Sequence, residues 1–90
     1  MNQLEILRES LGQCDEIILD ALLMRNRIVE DIMAYKEAND IPILQPEQEA
    51  KQKEWLERRM ADRRHKAEVE DVFGSITQNS KRIQARKLFN

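Results

Sequence analysis

The feature that most constrains the fold is a mostly apolar repeat that extends over residues 4–35. Its residues recur three and four positions apart, the spacing of a coiled-coil seam, at Leu4, Leu7, Leu11, Cys14, Ile18, Ala21, Arg25, Ile28, Ile32 and Tyr35. The pattern predicts one helix over 4–37, roughly 50 Å long at 1.5 Å per residue. A compact monomer of this size has a radius of gyration of about 12 Å. We therefore expect an intertwined homodimer, in which two copies cover each other's stripe.

Two further helices are predicted downstream. Asn39 suits the C-cap of the first helix, and Pro42 prevents the helix from continuing. Pro46, followed by acidic residues that favour a helix N-terminus, starts a second helix. The joint at 62–66 contains neither glycine nor proline. The predicted fold is all-α, a single domain over 1–90 with three helices per chain (4–37, 46–61 and 67–87) and six in the dimer.

Composition narrows the classes of function. The net charge of −2, from 15 basic and 17 acidic residues, gives no general attraction to nucleic acid. The basic cluster at 58–66 is interleaved with acids, so we interpret it as a solvated, salt-bridged surface. The single cysteine, Cys14, cannot form an intrachain disulfide. No signal peptide or membrane span is evident, and we expect a cytoplasmic protein. The lone histidine, His65, supports no nucleophilic relay, and no metal-ligand spacing occurs.

The most informative residues are polar ones at apolar positions of the first helix. Arg25 occupies a seam position, where an unpaired guanidinium is costly and requires an anion. Lys36 follows 11 residues later, about three turns along and on nearly the same face. Buried salt bridges with Asp15 or Asp31 are one interpretation of this pair. The other is a small dianionic ligand held between the two cations.

The later helices add polar side chains to the same interior. Ser80 and Gln84 are four residues apart beside apolar residues, so a hydroxyl and an amide share one helix face. Glu49 lies at the start of the second helix, where an acid also serves as a dipole partner. Jointly with the two cations, these groups indicate a polar pocket.

Arg8 raises a question of geometry. It lies about 25 Å from Arg25 along one helix, too far for both to contact one small molecule. Either Arg8 reaches the pocket from the other chain of an antiparallel pair, or it is an ordinary solvated arginine.

The ordered set of these residues resembles the all-helical, type II chorismate mutase family. The likeness extends from residue 4 to about residue 84 and rests on Leu7-Arg8-Glu9, Asp15, Leu22-Leu23-Met24-Arg25, Tyr35-Lys36, Ile41-Pro42-Ile43, Glu49, Ser80 and Gln84. The resemblance implies an intertwined dimer with two shared active sites. It further implies a cofactor-free rearrangement of chorismate to prephenate, for phenylalanine and tyrosine biosynthesis.

Carried over residue by residue, the resemblance implies a role for each of the three cations and for two polar residues of the third helix. Arg8 of the partner subunit and Arg25 would bind the substrate carboxylates. Lys36 would contact a carboxylate and the ether oxygen, Gln84 would bond that ether oxygen, and Ser80 would help to seat a carboxylate.

Three residues near the start of the second helix complete the implied site. Glu49 would accept a hydrogen bond from the ring hydroxyl. Gln45 stands where many members have an aspartate near that hydroxyl, and Gln48 stands where some have an arginine near a carboxylate. These two departures bear on substrate affinity more than on reaction type.

Three alternatives remain at this stage. The related isochorismate pyruvate lyases share the fold, although they tend to lack the carboxylate and the serine found here as Glu49 and Ser80. A second alternative is a non-catalytic helical dimer or a regulatory partner that retains the pocket of an ancestral enzyme. Similar domains also occur fused to other enzymes of the same pathway, which leaves the chain either free-standing or part of a larger protein.

Overall fold

A computed structural model describes residues 2–43 and 46–89, with side chains up to Arg86. It contains three helices, α1 (Gln3–Ala38), α2 (Pro46–Met60) and α3 (Lys66–Phe89), and no strand within the described ranges. The prediction of an all-helical chain with a long first helix is confirmed, and the predicted ends lie within two residues of the observed ones. None of the helices in the described part combines the length and apolar character that a membrane crossing requires.

Both ends of α1 are capped by asparagine. The side chain of Asn2 accepts a hydrogen bond of 2.9 Å from the backbone N–H three residues later, which satisfies one of the unpaired N–H groups of a helix start. At the other end Asn39 is the C-cap, as predicted. The next residue, Asp40, is left-handed with φ of 53°. Ile41 N–H then donates to the Lys36 carbonyl at 2.9 Å, so the helix closes in a Schellman motif.

The joint between α2 and α3 reverses the chain without glycine. Asp62 and His65 both adopt left-handed backbone conformations, with φ of 60° and 59°. Arg63 N–H donates to the Met60 carbonyl at 3.1 Å, which closes the turn after α2. Left-handed geometry is uncommon for residues with a Cβ, although Asp and His tolerate it better than most. The turn therefore places two non-glycine residues in a strained backbone conformation that a glycine would adopt without strain.

The core of a single chain lies where α3 packs against the second half of α1. Met33 is fully buried and Val29 nearly so, at 0% and 8% exposure. Helix α2 has no buried side chain in the described part. It meets α3 through an edge-to-face contact of Trp55 with Phe73, whose ring centroids are 6.1 Å apart, and through an ion pair described below.

One chain leaves most of α1 uncovered. The molecule measures 56 × 30 × 16 Å and its radius of gyration is 16.8 Å, against about 12 Å for a compact chain of this length. Large apolar side chains remain exposed along α1 at Leu4, Ile6, Leu7, Leu11, Ile17, Ile18, Leu19, Leu23, Met24, Ile28, Ile32 and Tyr35. We call this set the α1 stripe. Its extent is far beyond the scattered apolar residues of an ordinary monomer surface.

The left-handed conformation of His65, the residue before α3, leads to a prediction about stability. We expect His65→Val to be less stable than His65→Gly by about 1 kcal/mol, because a β-branched residue is strained at positive φ whereas glycine is not. Urea unfolding at one fixed protein concentration measures the difference. At the neighbouring Arg64, which is not left-handed, valine should be no worse than glycine. Equal stability of the two His65 variants would contradict the strain.

Candidate functional site

A cavity of about 950 Å³ opens between α1, the start of α2 and the second half of α3. Its apolar wall comes from Val29, Ile32, Pro42, Ile43 and Ala85. Polar and charged side chains from all three helices complete the lining. A concave site with apolar surface and polar groups that converge on it is typical of a small-molecule site, in which the polar groups orient the ligand.

Six of the eight residues singled out in the sequence line this cavity: Arg25, Lys36, Gln48, Glu49, Ser80 and Gln84. Of the other two, Gln45 lies outside the described residues. Arg8 is exposed on α1 and is not among the residues that line the cavity. The structure therefore brings the six together in one chain, while their roles toward a substrate remain predictions.

Arg25 is oriented by α3. Its Nη1 donates a hydrogen bond to the hydroxyl of Ser80, which is only 7% exposed. That hydroxyl in turn donates to the Ile76 carbonyl one turn earlier, at 3.1 Å, a common arrangement for serine within a helix. The donor of Ser80 is thus used within α3, and its lone pair is left to accept from the guanidinium. Ser80 therefore acts as a fixed acceptor that positions Arg25 at the cavity.

Lys36 connects α1 to the segment that follows it. Its Nζ donates to the Ile43 carbonyl at 2.8 Å, and the side chain is half-buried. An ammonium carries three N–H donors, so this bond leaves two for a ligand. The contact also satisfies the carbonyl of Ile43, a residue that itself lines the cavity.

Neither cation is neutralised by a carboxylate that the sequence suggested. Within the described residues no ion pair joins Arg25 or Lys36 to Asp15 or Asp31. Their hydrogen-bond partners are instead a hydroxyl and a backbone carbonyl, both of which are neutral. Positive charge held half-buried with neutral partners attracts an anion more strongly than charge in open water, because the surroundings screen it less.

Gln84 has spare hydrogen-bonding capacity. Its Nε2 donates to the Ser80 carbonyl at 3.4 Å, near the limit of a hydrogen bond, and its Oε1 is buried with no partner among the described residues. A buried polar atom without a partner carries a desolvation cost. Because Gln84 lines the cavity, a ligand there can use the amide.

Glu49 is paired with a residue that the sequence analysis did not identify. Its Oε1 lies 2.8 Å from the Nζ of Lys81, which also lines the cavity. One signal could have indicated Lys81. Thr77, Lys81 and Gln84 follow each other four and three residues apart, so they share one face of α3. Its partner on α2 could not be found this way, since their contact depends on how two helices pack.

The charges that line the cavity sum to +2, from the three cations Arg25, Lys36 and Lys81 and the single carboxylate Glu49. No group of three or more His, Cys, Asp or Glu side chains in the described part is placed to hold a metal ion. The side chains present therefore suit a small anion with more than one acidic group, bound by direct hydrogen bonds.

The fold and the site together define a class of protein: a three-helix chain with a cationic pocket between its helices. Residues 7–85 match the family model of chorismate mutase type II. The chain therefore belongs to the type II chorismate mutase family, and the resemblance noted in the sequence is confirmed. No curated protein and no solved structure gives a significant match to it.

Proposed function

We propose that this protein is a chorismate mutase, which rearranges chorismate to prephenate. The observation that carries the proposal is the pair of cations, Arg25 and Lys36, which line one cavity and are each bonded to a neutral acceptor. Chorismate is a dicarboxylate, and two carboxylates would match two uncompensated cations. Membership of the family supports the same substrate.

The chemistry asks little of the protein beyond binding and polarisation. In the rearrangement the ether C–O bond breaks while a new C–C bond forms, and no proton is transferred. Catalysis comes from holding the chair-like reactive conformer and from donors aimed at negative charge that develops on the ether oxygen. The cavity offers side chains for both tasks.

Five cavity residues have specific roles on this proposal. Arg25, held by Ser80, binds one carboxylate through its planar fork. Lys36 uses its remaining donors on a carboxylate and on the ether oxygen. Gln84 supplies a second donor to the ether oxygen, exchanging its long bond of 3.4 Å to Ser80 for a better one. Glu49 accepts a hydrogen bond from the ring hydroxyl.

The proposed active site includes Arg8 of a partner subunit. A second copy lying antiparallel along α1 would cover the α1 stripe and bring its own Arg8 toward the cavity. Two observations support this arrangement: the exposure of the stripe, and the separation of about 25 Å between Arg8 and Arg25 within one helix. An intertwined homodimer thus accounts for both.

Two positions bear on affinity rather than on the reaction. Gln48 lines the cavity with a neutral amide, and Gln45 is proposed to lie near the ring hydroxyl. Neither changes the chemistry proposed here. We place the enzyme in the cytoplasm, in phenylalanine and tyrosine biosynthesis. Restored growth of a mutase-deficient bacterial strain without these amino acids would test the assignment to this pathway.

The purified protein should convert chorismate to prephenate without any added cofactor. Loss of chorismate absorbance, followed by identification of the product, measures this. Conversion of isochorismate to pyruvate and salicylate, with chorismate unchanged, would instead identify a lyase. Turnover of neither substrate would contradict both activities and favour a binding protein.

Arg25→Ala and Lys36→Ala should each reduce kcat/KM by roughly 10²- to 10³-fold, because each removes a donor aimed at substrate charge. Arg27→Ala is the matched control, since it removes an exposed arginine two residues from Arg25 on α1. Circular dichroism and sedimentation establish that each variant remains folded and assembled. Near-normal rates in both cavity variants would contradict the site.

The shared site makes a prediction about mixed subunits. Arg8→Ala and Arg25→Ala proteins should each be nearly inactive, while their mixture recovers activity, because a mixed dimer holds one site with both arginines intact. Sedimentation should give a dimer of the 10.7 kDa chain. No recovery after proven subunit exchange would contradict the contribution of Arg8 from a partner.

A further inference from the structure

The ion pair between Lys81 and Glu49 stands at a boundary inside the molecule. Both residues line the candidate site, and both also line a second cavity of about 610 Å³ between α2 and α3. Gln52 and Thr77 are likewise common to the two cavities. The pair thus forms part of the wall that separates the site from the neighbouring cavity, and it joins α2 to α3 across that wall.

Glu49 has little else to hold it in place. It lies in the first turn of α2, a helix with no buried side chain in the described part. The ring contact that joins α2 to α3 involves Trp55, six residues further along. At the end of α2 that faces the site, the 2.8 Å contact with Lys81 is the polar link to α3 that the structure shows.

The charge of Glu49 also requires compensation. A carboxylate that lines a site for a dicarboxylate repels the ligand, since like charges at close range raise the free energy of binding. The neighbouring residue Gln48 is neutral and offers no compensation. The ammonium of Lys81 compensates from α3, and it leaves the second oxygen of Glu49 able to accept another hydrogen bond.

We propose that Lys81 is a positioning residue of the mutase site, which holds Glu49 so that the carboxylate accepts the ring hydroxyl without repelling the dicarboxylate substrate. This inference rests on the proposed function and adds a residue to it. Lys81 acts through Glu49, by orienting the carboxylate and neutralising it. Lys81 shares with Thr77 and Gln84 the face of α3 that lines the cavity.

A purely structural ion pair predicts a different result. Side-chain exposures of 39% for Lys81 and 45% for Glu49 put the pair in the class whose contribution to folding stability is small. The loss of Lys81 should therefore leave thermal stability almost unchanged while it weakens substrate use. Kinetics and stability separate the two explanations.

The test begins with Lys81→Met, which keeps most of the aliphatic stem and removes the charge. We expect kcat/KM for chorismate to fall roughly 3- to 30-fold, mainly through a higher KM, while Lys81→Arg restores most of it. Lys66→Met is the matched control. It removes the lysine of another α3 ion pair, Lys66 with Glu70 at 3.7 Å, and Lys66 does not line the site.

A double-mutant cycle tests whether Lys81 acts through Glu49. In a Glu49→Gln background the Lys81→Met substitution should cause little further loss, because the carboxylate that it positions is gone. A chorismate analogue without the ring hydroxyl should likewise be less sensitive to Lys81→Met than chorismate is. Additive losses in the cycle would overturn the proposal.

The outcomes distinguish failure of this inference from failure of the proposed function on which it rests. If the unmodified protein turns over no chorismate, the proposed function fails first. If the unmodified protein is active and Lys81→Met matches Lys66→Met in kcat/KM, only the positioning role fails. A fall in melting temperature that accounts for the lost activity, without rescue by Lys81→Arg, would also overturn it.

Discussion

The packing of α3 against the second half of α1 is the contact on which the rest of the structure depends. Met33 and Val29 are buried there, and one turn beyond Val29 the same interface becomes polar, where Arg25 donates to Ser80. A guanidinium at an apolar interface is costly unless its donors are satisfied. The Ser80 hydroxyl partly meets that requirement, and a bound carboxylate would complete it. The core and the candidate site thus share one interface.

Two features of the single chain, its cavity charge and its exposed apolar surface, underlie the proposed ligand and the proposed dimer. The cavity carries a net charge of +2, and its two predicted cations are bonded to neutral groups. On the proposed function a dicarboxylate supplies the missing anions. The exposed α1 stripe would be covered by a second copy, which would also bring Arg8 to the site. Folding and catalysis would then be inseparable, since neither is complete in one chain.

Sequence patterns predicted the helices well and the joints less well. The period of α1 and the start at Pro46 follow from local rules of spacing and capping, which need no tertiary contact. The left-handed residues Asp62 and His65 were not predicted, because neither is a glycine and strain of this kind is tolerated only when flanking helices impose it. Lys81 was overlooked because its spacing alone matches that of an ordinary solvated lysine.

The sequence by itself determined the three helices and the anomalous cations, since an arginine in an apolar repeat is visible without coordinates. From these cations it predicted either buried salt bridges or an anionic ligand, and it left the two interpretations open. Only the tertiary structure distinguished a salt bridge with Asp15 or Asp31 from a neutral partner for Arg25, because the packing of α1 against α3 brings the Ser80 hydroxyl to the guanidinium. The link from Lys81 to Glu49 was decided at the same level. It joins residues 32 positions apart, and only the angle between α2 and α3 brings them together.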